Sequence, residues 1–303
     1  MTAPETVRAH PPAVPVAAEW RVRGRTFDVS GRALVMGVLN VTPDSFFDGG
    51  RYADPDAALE RALAMADEGA DLIDVGGEST RPGSAIVPAD EEIRRVAPVL
   101  ERLVARCPIP VSIDTRKTEV ARAALDLGAA ILNDVSGLRG GSAGGGEDEA
   151  GVRERAALAA RHGAGLVLMH MQGDPQTMQK DPRYDDVVGE VRGFLYDAAR
   201  RAEEAGVPRE SIALDPGVGF GKSVEHSLAL LRRTADLASC GYPLLIGVSR
   251  KSLFGKLLGL TAEERLEAGL AAAVACVLRG ARIVRTHDIR PTVRALRTAE
   301  ALL

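Results

Sequence analysis

The chain has few aromatic residues, few cysteines and no long apolar run, and each shortage narrows what it can be. Phe, Trp and Tyr make up 4% of its 303 residues, with a single Trp, so Ala, Leu and Val must fill its core. The three cysteines, Cys107, Cys240 and Cys276, lie far apart and show neither C-x-x-C nor Cys/His metal spacing. That excludes a disulfide scaffold and predicts buried free thiols in a reducing, cytoplasmic compartment. No stretch approaches the roughly 20 consecutive apolar residues that cross a bilayer, so no membrane partner is expected. Excess positive charge is lacking too. With 38 Lys and Arg against 42 Asp and Glu, the net charge is −4 and no basic stripe stands out, which disfavours nucleic acid and favours small-molecule partners. The opening MTAPETVRAHPPAVPVAAEW is broken by prolines and Glu5 and has no continuous apolar core before a cleavage pattern. Residues 1–18 are therefore expected to form a flexible tail, and residues 19–303 a single domain.

What is present is a beat. Eight short runs rich in Val, Ile and Leu recur: ALVMGVLN, DLIDVGG, IPVSIDT, AAILNDV, GLVLMHM, SIALDPG, PLLIGVS and ARIVRTH. Between them, helical periodicity covers 55–69, 90–106, 117–127, 150–162, 184–206, 223–239 and 261–279, and a last stretch covers 290–302. Near-continuous apolar strands need cover on both faces, which crossover helices provide to parallel strands. Eight such units predict a single (β/α)8 TIM barrel, a fold of about 250 residues, preceded by a short strand-like lead-in, WRVRGRTFDVSG. An open doubly wound sheet is the competing architecture, but its glycine fingerprint is missing after the first strand. The glycine-rich, acidic stretch 139–151 is expected to be an exposed loop.

Barrel enzymes carry their chemistry where the strands end. Here those ends collect Asn40, Thr80, Arg81, Asp114, Asn133, His170, Asp215, Lys251, Arg285 and His287. Two carboxylates and an amide, Asp114, Asp215 and Asn133, suit a flat, nitrogen-rich heterocycle whose adjacent N–H groups pair with a carboxylate. Lys251 can donate to a ring carbonyl or nitrogen. Arg285 can stack on a ring or grip a phosphate. Arg81, Arg285 and His287 form a cationic set for a diphosphate, and Asn40 can offer an oxygen to Mg²⁺. GVGFGKS, residues 217–223, fails the phosphate-loop pattern because Pro216 stands where its first glycine belongs. His162 and His226 fall in helical context and are expected to be solvated. Met169 and Met171 read as core, with Met169 at the pocket edge.

The motifs MGVLNVTPDSFFDGG, DLIDVGGESTRPGS, SIDTRK, LNDVSG, LMHMQGDPQTMQ, LDPGVGFGK, GVSRKS and RTHD, in this order from about Trp20 onward, resemble the dihydropteroate synthase family of pterin-binding barrel enzymes. The resemblance implies condensation of 6-hydroxymethyl-7,8-dihydropterin diphosphate with 4-aminobenzoate by an SN1-like route, with Mg²⁺, in a homodimer. It implies that Asp114, Asn133, Met169, Asp215, Gly219, Phe220, Lys251 and Arg285 hold the pterin, and that Asn40 meets the metal. Phe46, Thr80, Arg81, Pro82 and Ser252 would shape the aminobenzoate site, and Arg285 with His287 the diphosphate site. Asp48 would support the developing cation, so that Asp48, Lys251, Arg285 and His287 form the catalytic set. Phe47, Val218 and Thr286 depart from the residues usual there, which bears on loop closure and pocket volume. Methyl transfer from methyltetrahydrofolate to a corrinoid protein, or pterin diphosphate binding without turnover, are the alternatives.

Overall fold

The computed structural model describes residues 17–42, 54–79, 84, 86–139 and 149–302. Most of the expected tail and of the glycine-rich stretch lies outside them. A hairpin of β1 (Glu19–Val22) and β2 (Arg25–Asp28) comes first. The barrel strands follow as β3 (Leu34–Asn40), β4 (Leu72–Gly76), β5 (Val111–Asp114), β6 (Ile131–Asp134), β7 (Gly165–Met169), β8 (Ile212–Asp215), β9 (Leu245–Gly247) and β10 (Ile283–Thr286). All eight expected runs are strands. They pair in parallel in the order β8-β7-β6-β5-β4-β3-β10-β9, and a parallel bridge between Leu214 and Leu244 brings β8 to β9. The result is the predicted (β/α)8 barrel.

Between strands run α1 (Pro55–Asp67), α2 (Ala89–Arg106), α3 (Thr118–Leu127), α4 (Glu149–His162) and α5 (Val187–Glu204). Then come α6 (Val224–Arg232), α7 (Thr234–Ala238), α8 (Ser252–Leu258), α9 (Leu266–Val277) and α10 (Ile289–Ala301). Asp54 caps α1 by accepting from the Asp56 amide at 3.1 Å, and α3 ends at Gly128 in the left-handed region. The expected helix 223–239 is broken at Arg233, where the Thr234 hydroxyl donates back to the Leu231 carbonyl at 2.9 Å. Helix α8 is too short, at seven residues, for periodicity to reveal it. Two smaller expectations need correction. Only Cys276 of the three free thiols is buried, because Cys107 and Cys240 sit at helix ends with one side open to solvent. His226 and His162 are half-buried: His226 completes the capping box of α6, and His162 pairs with Asp126 at 3.1 Å.

Side chains alternate along each strand between two cores, as the period of two requires. Val35, Ile73, Ile113, Leu132, Leu168, Leu214, Ile246 and Val284 pack outward against the helices. Leu34, Met36, Leu72, Ile131, Val167, Ala213, Leu245 and Ile283 fill the barrel interior together with Trp20 and Val22 of the hairpin. Those interior residues stand at or near strand starts, so the hairpin plugs the N-terminal end of the barrel. Trp20 is 0% exposed and its indole N–H donates to the Ser211 carbonyl at 3.1 Å. Gly165 explains the absence of a side chain at the start of β7: a Cβ there would collide with Val22 and come within 3.3 Å of Trp20.

Truncating this plug leaves a cavity that the closed barrel cannot collapse into. Trp20→Ala is expected to cost about 3–5 kcal/mol, read from denaturant unfolding followed by circular dichroism. A loss below about 1 kcal/mol would show that the hairpin is an appendage and not a closure.

Candidate active site

The interior register that carries the apolar core carries the polar residues one step higher. Asp74, Asp114, Asn133, Met169, Asp215 and Arg285 each stand two residues beyond an inward residue: Leu72, Ser112, Ile131, Val167, Ala213 and Ile283. They therefore all point into the barrel near its C-terminal mouth. The Arg285 guanidinium lies between two carboxylates, donating from Nε to Asp74 Oδ2 at 2.6 Å and from Nη2 to Asp114 Oδ2 at 2.9 Å. Asn133 Nδ2 donates to the same Asp74 oxygen at 2.9 Å. Asp74, fully buried, thus orients both an arginine and an amide whose remaining polar atoms are available to a ligand. Asp74 Oδ1, Asp114 Oδ1 and Ser112 Oγ are buried without a protein partner. Buried polar atoms of this kind are costly to leave unpaired.

Burial also governs the protons. It pushes Asp114 up to about 8; the Arg285 charge opposes this, and Asp74, Glu92 and Glu78 add to it. Asp215 is raised for the same reason, held back by the Gly217 amide that donates to it at 2.7 Å and by Lys251. Lys251 is lowered to about 8 by burial, against the pull of Asp215. Burial would also lower Arg285, but the charges of Asp74 and Asp114 prevail and raise it.

The opposite rim is built from two turns. Arg250 occupies the left-handed region at φ 53°, a strained position for a residue with a Cβ. A two-pronged ion pair holds it there: Arg250 Nε donates to Asp288 Oδ2 at 2.9 Å, and Nη2 donates to Oδ1. The Ser249 hydroxyl accepts from the His287 amide and lies 3.3 Å from His287 Nδ1. The turns after β9 and β10 are thereby locked together, which places Lys251, Ser252 and His287 on one rim. Lys251 Nζ sits 4.1 Å from the centre of the Phe220 ring, and Phe220 packs on Met169, Met171, Met178 and Val135. Gly219 leaves space beside the Lys251 stem, 3.7 Å from where a Cβ would stand. Asn40 ends β3, next to Gly76 and Asp114.

The structure thus brings Asp114, Asn133, Met169, Asp215, Gly219, Phe220, Lys251 and Arg285 to one mouth, with Asn40, Ser252 and His287 at its rim. Phe46, Asp48, Thr80, Arg81 and Pro82 lie outside the described residues. Two expectations are corrected. Val218 belongs to the outer core, and the Thr286 hydroxyl turns outward to accept from the Asp288 amide at 3.1 Å, so neither alters the volume of the mouth. Asp74 was not foreseen. It lies mid-strand, not at a strand end, and the signal was an acid at an inward position of LIDVG.

A family model described as pterin binding enzyme matches residues 36–287, and the chain belongs to that family, on a (β/α)8 barrel. Its relatives are more particular. The chain is 46% identical over 281 residues to the dihydropteroate synthase of Escherichia coli K12, covering 93% of this chain and 95% of that protein. The Yersinia pestis dihydropteroate synthase, solved with a sulfonamide drug complex, superposes with a TM-score of 0.85 at 42% identity, covering 94% of this chain and 98% of that one. The dihydropteroate synthase of Thermus thermophilus in complex with 4-aminobenzoate gives 0.81 at 46% identity, covering 94% and 100%.

The raised carboxyl has a signed consequence. In the unfolded chain Asp114 releases its proton near pH 4, whereas in the folded site it keeps it to about 8. The native state therefore binds the extra proton in that window, and this group's contribution to stability falls as pH rises through it. Asp114→Asn is expected to remove up to about 1.4 kcal/mol per pH unit of that decline, measured by denaturant unfolding at pH 5 and 7.5. An identical slope in wild type and variant would place the proton elsewhere.

Proposed function

We propose that the chain condenses 6-hydroxymethyl-7,8-dihydropterin diphosphate with 4-aminobenzoate, forming 7,8-dihydropteroate and diphosphate in folate synthesis. The observation that carries this reading is the Asp74–Arg285–Asp114–Asn133 constellation facing Asp215 and Lys251 across one mouth. Acceptors on Asp114, Asp215 and Asn133 match the N–H edge of a pterin, and Lys251 donates to its carbonyl or ring nitrogen. The dihydropteroate synthase relatives support the same chemistry.

An arylamine is already unprotonated at neutral pH, so the nucleophile scarcely needs a general base. The barrier is departure of diphosphate. Arg285 and His287 offer donors to the leaving group, while electron donation from the dihydropterin ring supports a methylene cation, an SN1-like route. The residues fit Mg²⁺ in a limited way: among the described residues no three His, Cys, Asp or Glu form a metal cluster, and Asn40 offers one amide oxygen at the end of β3. That suits an ion that keeps several waters and takes substrate phosphate oxygens. When bound, the ion neutralises charge on the diphosphate. Phe46, Thr80, Arg81, Pro82 and Ser252 complete the aminobenzoate side and Asp48 supports the cation, assignments that rest on the sequence motifs. A homodimer in the cytoplasm belongs to the same reading.

The deciding experiment is turnover of the two substrates with and without Mg²⁺. Product that disappears with a chelator is expected; methyl transfer to a corrinoid instead would overturn the assignment. Arg285→Ala should weaken pterin diphosphate binding and lower turnover together, and unchanged kinetics would remove Arg285 from the site. Asp74→Asn, which frees the guanidinium without deleting it, is expected to lower pterin diphosphate affinity about tenfold or more, since bonds to charged groups carry about 1.5–3 kcal/mol. Titration calorimetry reads that effect directly.

A further inference from the structure

The stretch GVGFGK, residues 217–222, has the look of a phosphate loop and a different construction. Gly217, Gly219 and Gly221 take φ of 62°, 81° and 60°, and a Cβ on Gly217 or Gly221 would run into the carbonyl of His170 or Gln172. The turn after β8 is therefore laid backbone against backbone on the segment after β7. Lys222 closes that contact from within. It is 3% exposed, and its ammonium donates to His170 Nδ1 at 2.9 Å, to the His170 carbonyl at 3.2 Å and to the Phe220 carbonyl at 2.9 Å. All three N–H bonds end on the protein, which leaves none for a phosphate. Burial lowers Lys222 to about 7; in its ammonium form it can only donate, which puts the neutral His170 proton on Nε2. From outside, Tyr184 Oη donates to the Gly221 carbonyl at 2.8 Å and Gln179 Nε2 to the Gly219 carbonyl at 2.6 Å.

The two residues that Lys222 holds, His170 and Phe220, adjoin or belong to the mouth. His170 follows Met169, Phe220 faces Lys251, and the Asp215 carboxylate accepts from Gly217 at the start of the same turn. We propose that Lys222 is a positioning residue for the pterin: by tying the exit of β7 to the Gly219–Phe220 turn it sets where the Phe220 ring stands against Lys251 and Met169. The proposal rests on the pterin reading of the site. A neutral side chain of equal length would leave two carbonyls and a ring nitrogen buried without a donor, and the two segments would separate at the point where the heterocycle lies. Phe46, Thr80, Arg81 and Pro82, assigned to the aminobenzoate side, belong to other connections of the chain, so that side would be affected less.

Lys222→Met should raise both the KM and the calorimetric Kd for pterin diphosphate by about tenfold or more, with the KM for 4-aminobenzoate within about twofold of wild type. Lys222→Arg, which restores a cationic donor, should recover part of the loss. A variant that melts earlier yet keeps pterin KM and Kd within about twofold of wild type overturns the proposal, because Lys222 would then be structural only. If Lys222→Met does not fold, His170→Leu tests the same tie: about a threefold or greater loss in pterin affinity alone supports it, and unchanged affinity overturns it. A wild type that binds pterin diphosphate without turning it over would end the assigned reaction and leave Lys222 to be judged by Kd. A wild type that binds none would end both.

Discussion

A guanidinium held between two buried carboxylates organises this barrel mouth. Arg285 rises from β10 and is met by Asp74 from β4 and Asp114 from β5, with β3 between them in the sheet. A buried charge without a partner is costly at that depth, and each of the three groups meets its opposite there. Together they turn three groups that would each oppose folding into one rigid platform. Because Asp74 also accepts from Asn133, the platform extends to β6. Two carboxylates share one guanidinium, and burial raises Asp114 above the usual carboxylate range.

The rest of the molecule serves to keep that platform still. Trp20 and the hairpin close the lower end, which gives the interior a dry, filled floor and restricts the polar layer to the top. The Arg250–Asp288 pair locks the turns after β9 and β10 and holds Arg250 in its left-handed conformation. The Lys222 tie does the same for the turns after β7 and β8. In each case a buried or half-buried charge joins two neighbouring βα connections. The strands supply direction, and these cross-ties supply the spacing on which recognition of a small rigid ring depends.

How much of this was legible depends on where each residue lies in its element. Asp114, Asn133, Asp215 and Arg285 could be found because each falls at the end of an apolar run, where the barrel rule places chemistry. Asp74 lies within its run, and no local pattern separates an inward acid that meets an arginine 211 positions away from one that would break the strand. Lys222 was set aside with the failed phosphate-loop pattern; only the fold shows that its ammonium turns inward to His170. Thr286 shows the reverse case, a departure that looks meaningful beside Arg285 and His287 but faces the other side of its strand.

By itself, the sequence determined the eight-fold alternation, the parallel barrel and the chemical character of its mouth. These follow from period, burial and strand ends, which are local properties of the chain. Tertiary structure alone decided which charges meet and which lysine turns into the protein. Those outcomes depend on distances between segments far apart in sequence, and electrostatic energies in a dry interior change too steeply with distance for composition or spacing to foretell them.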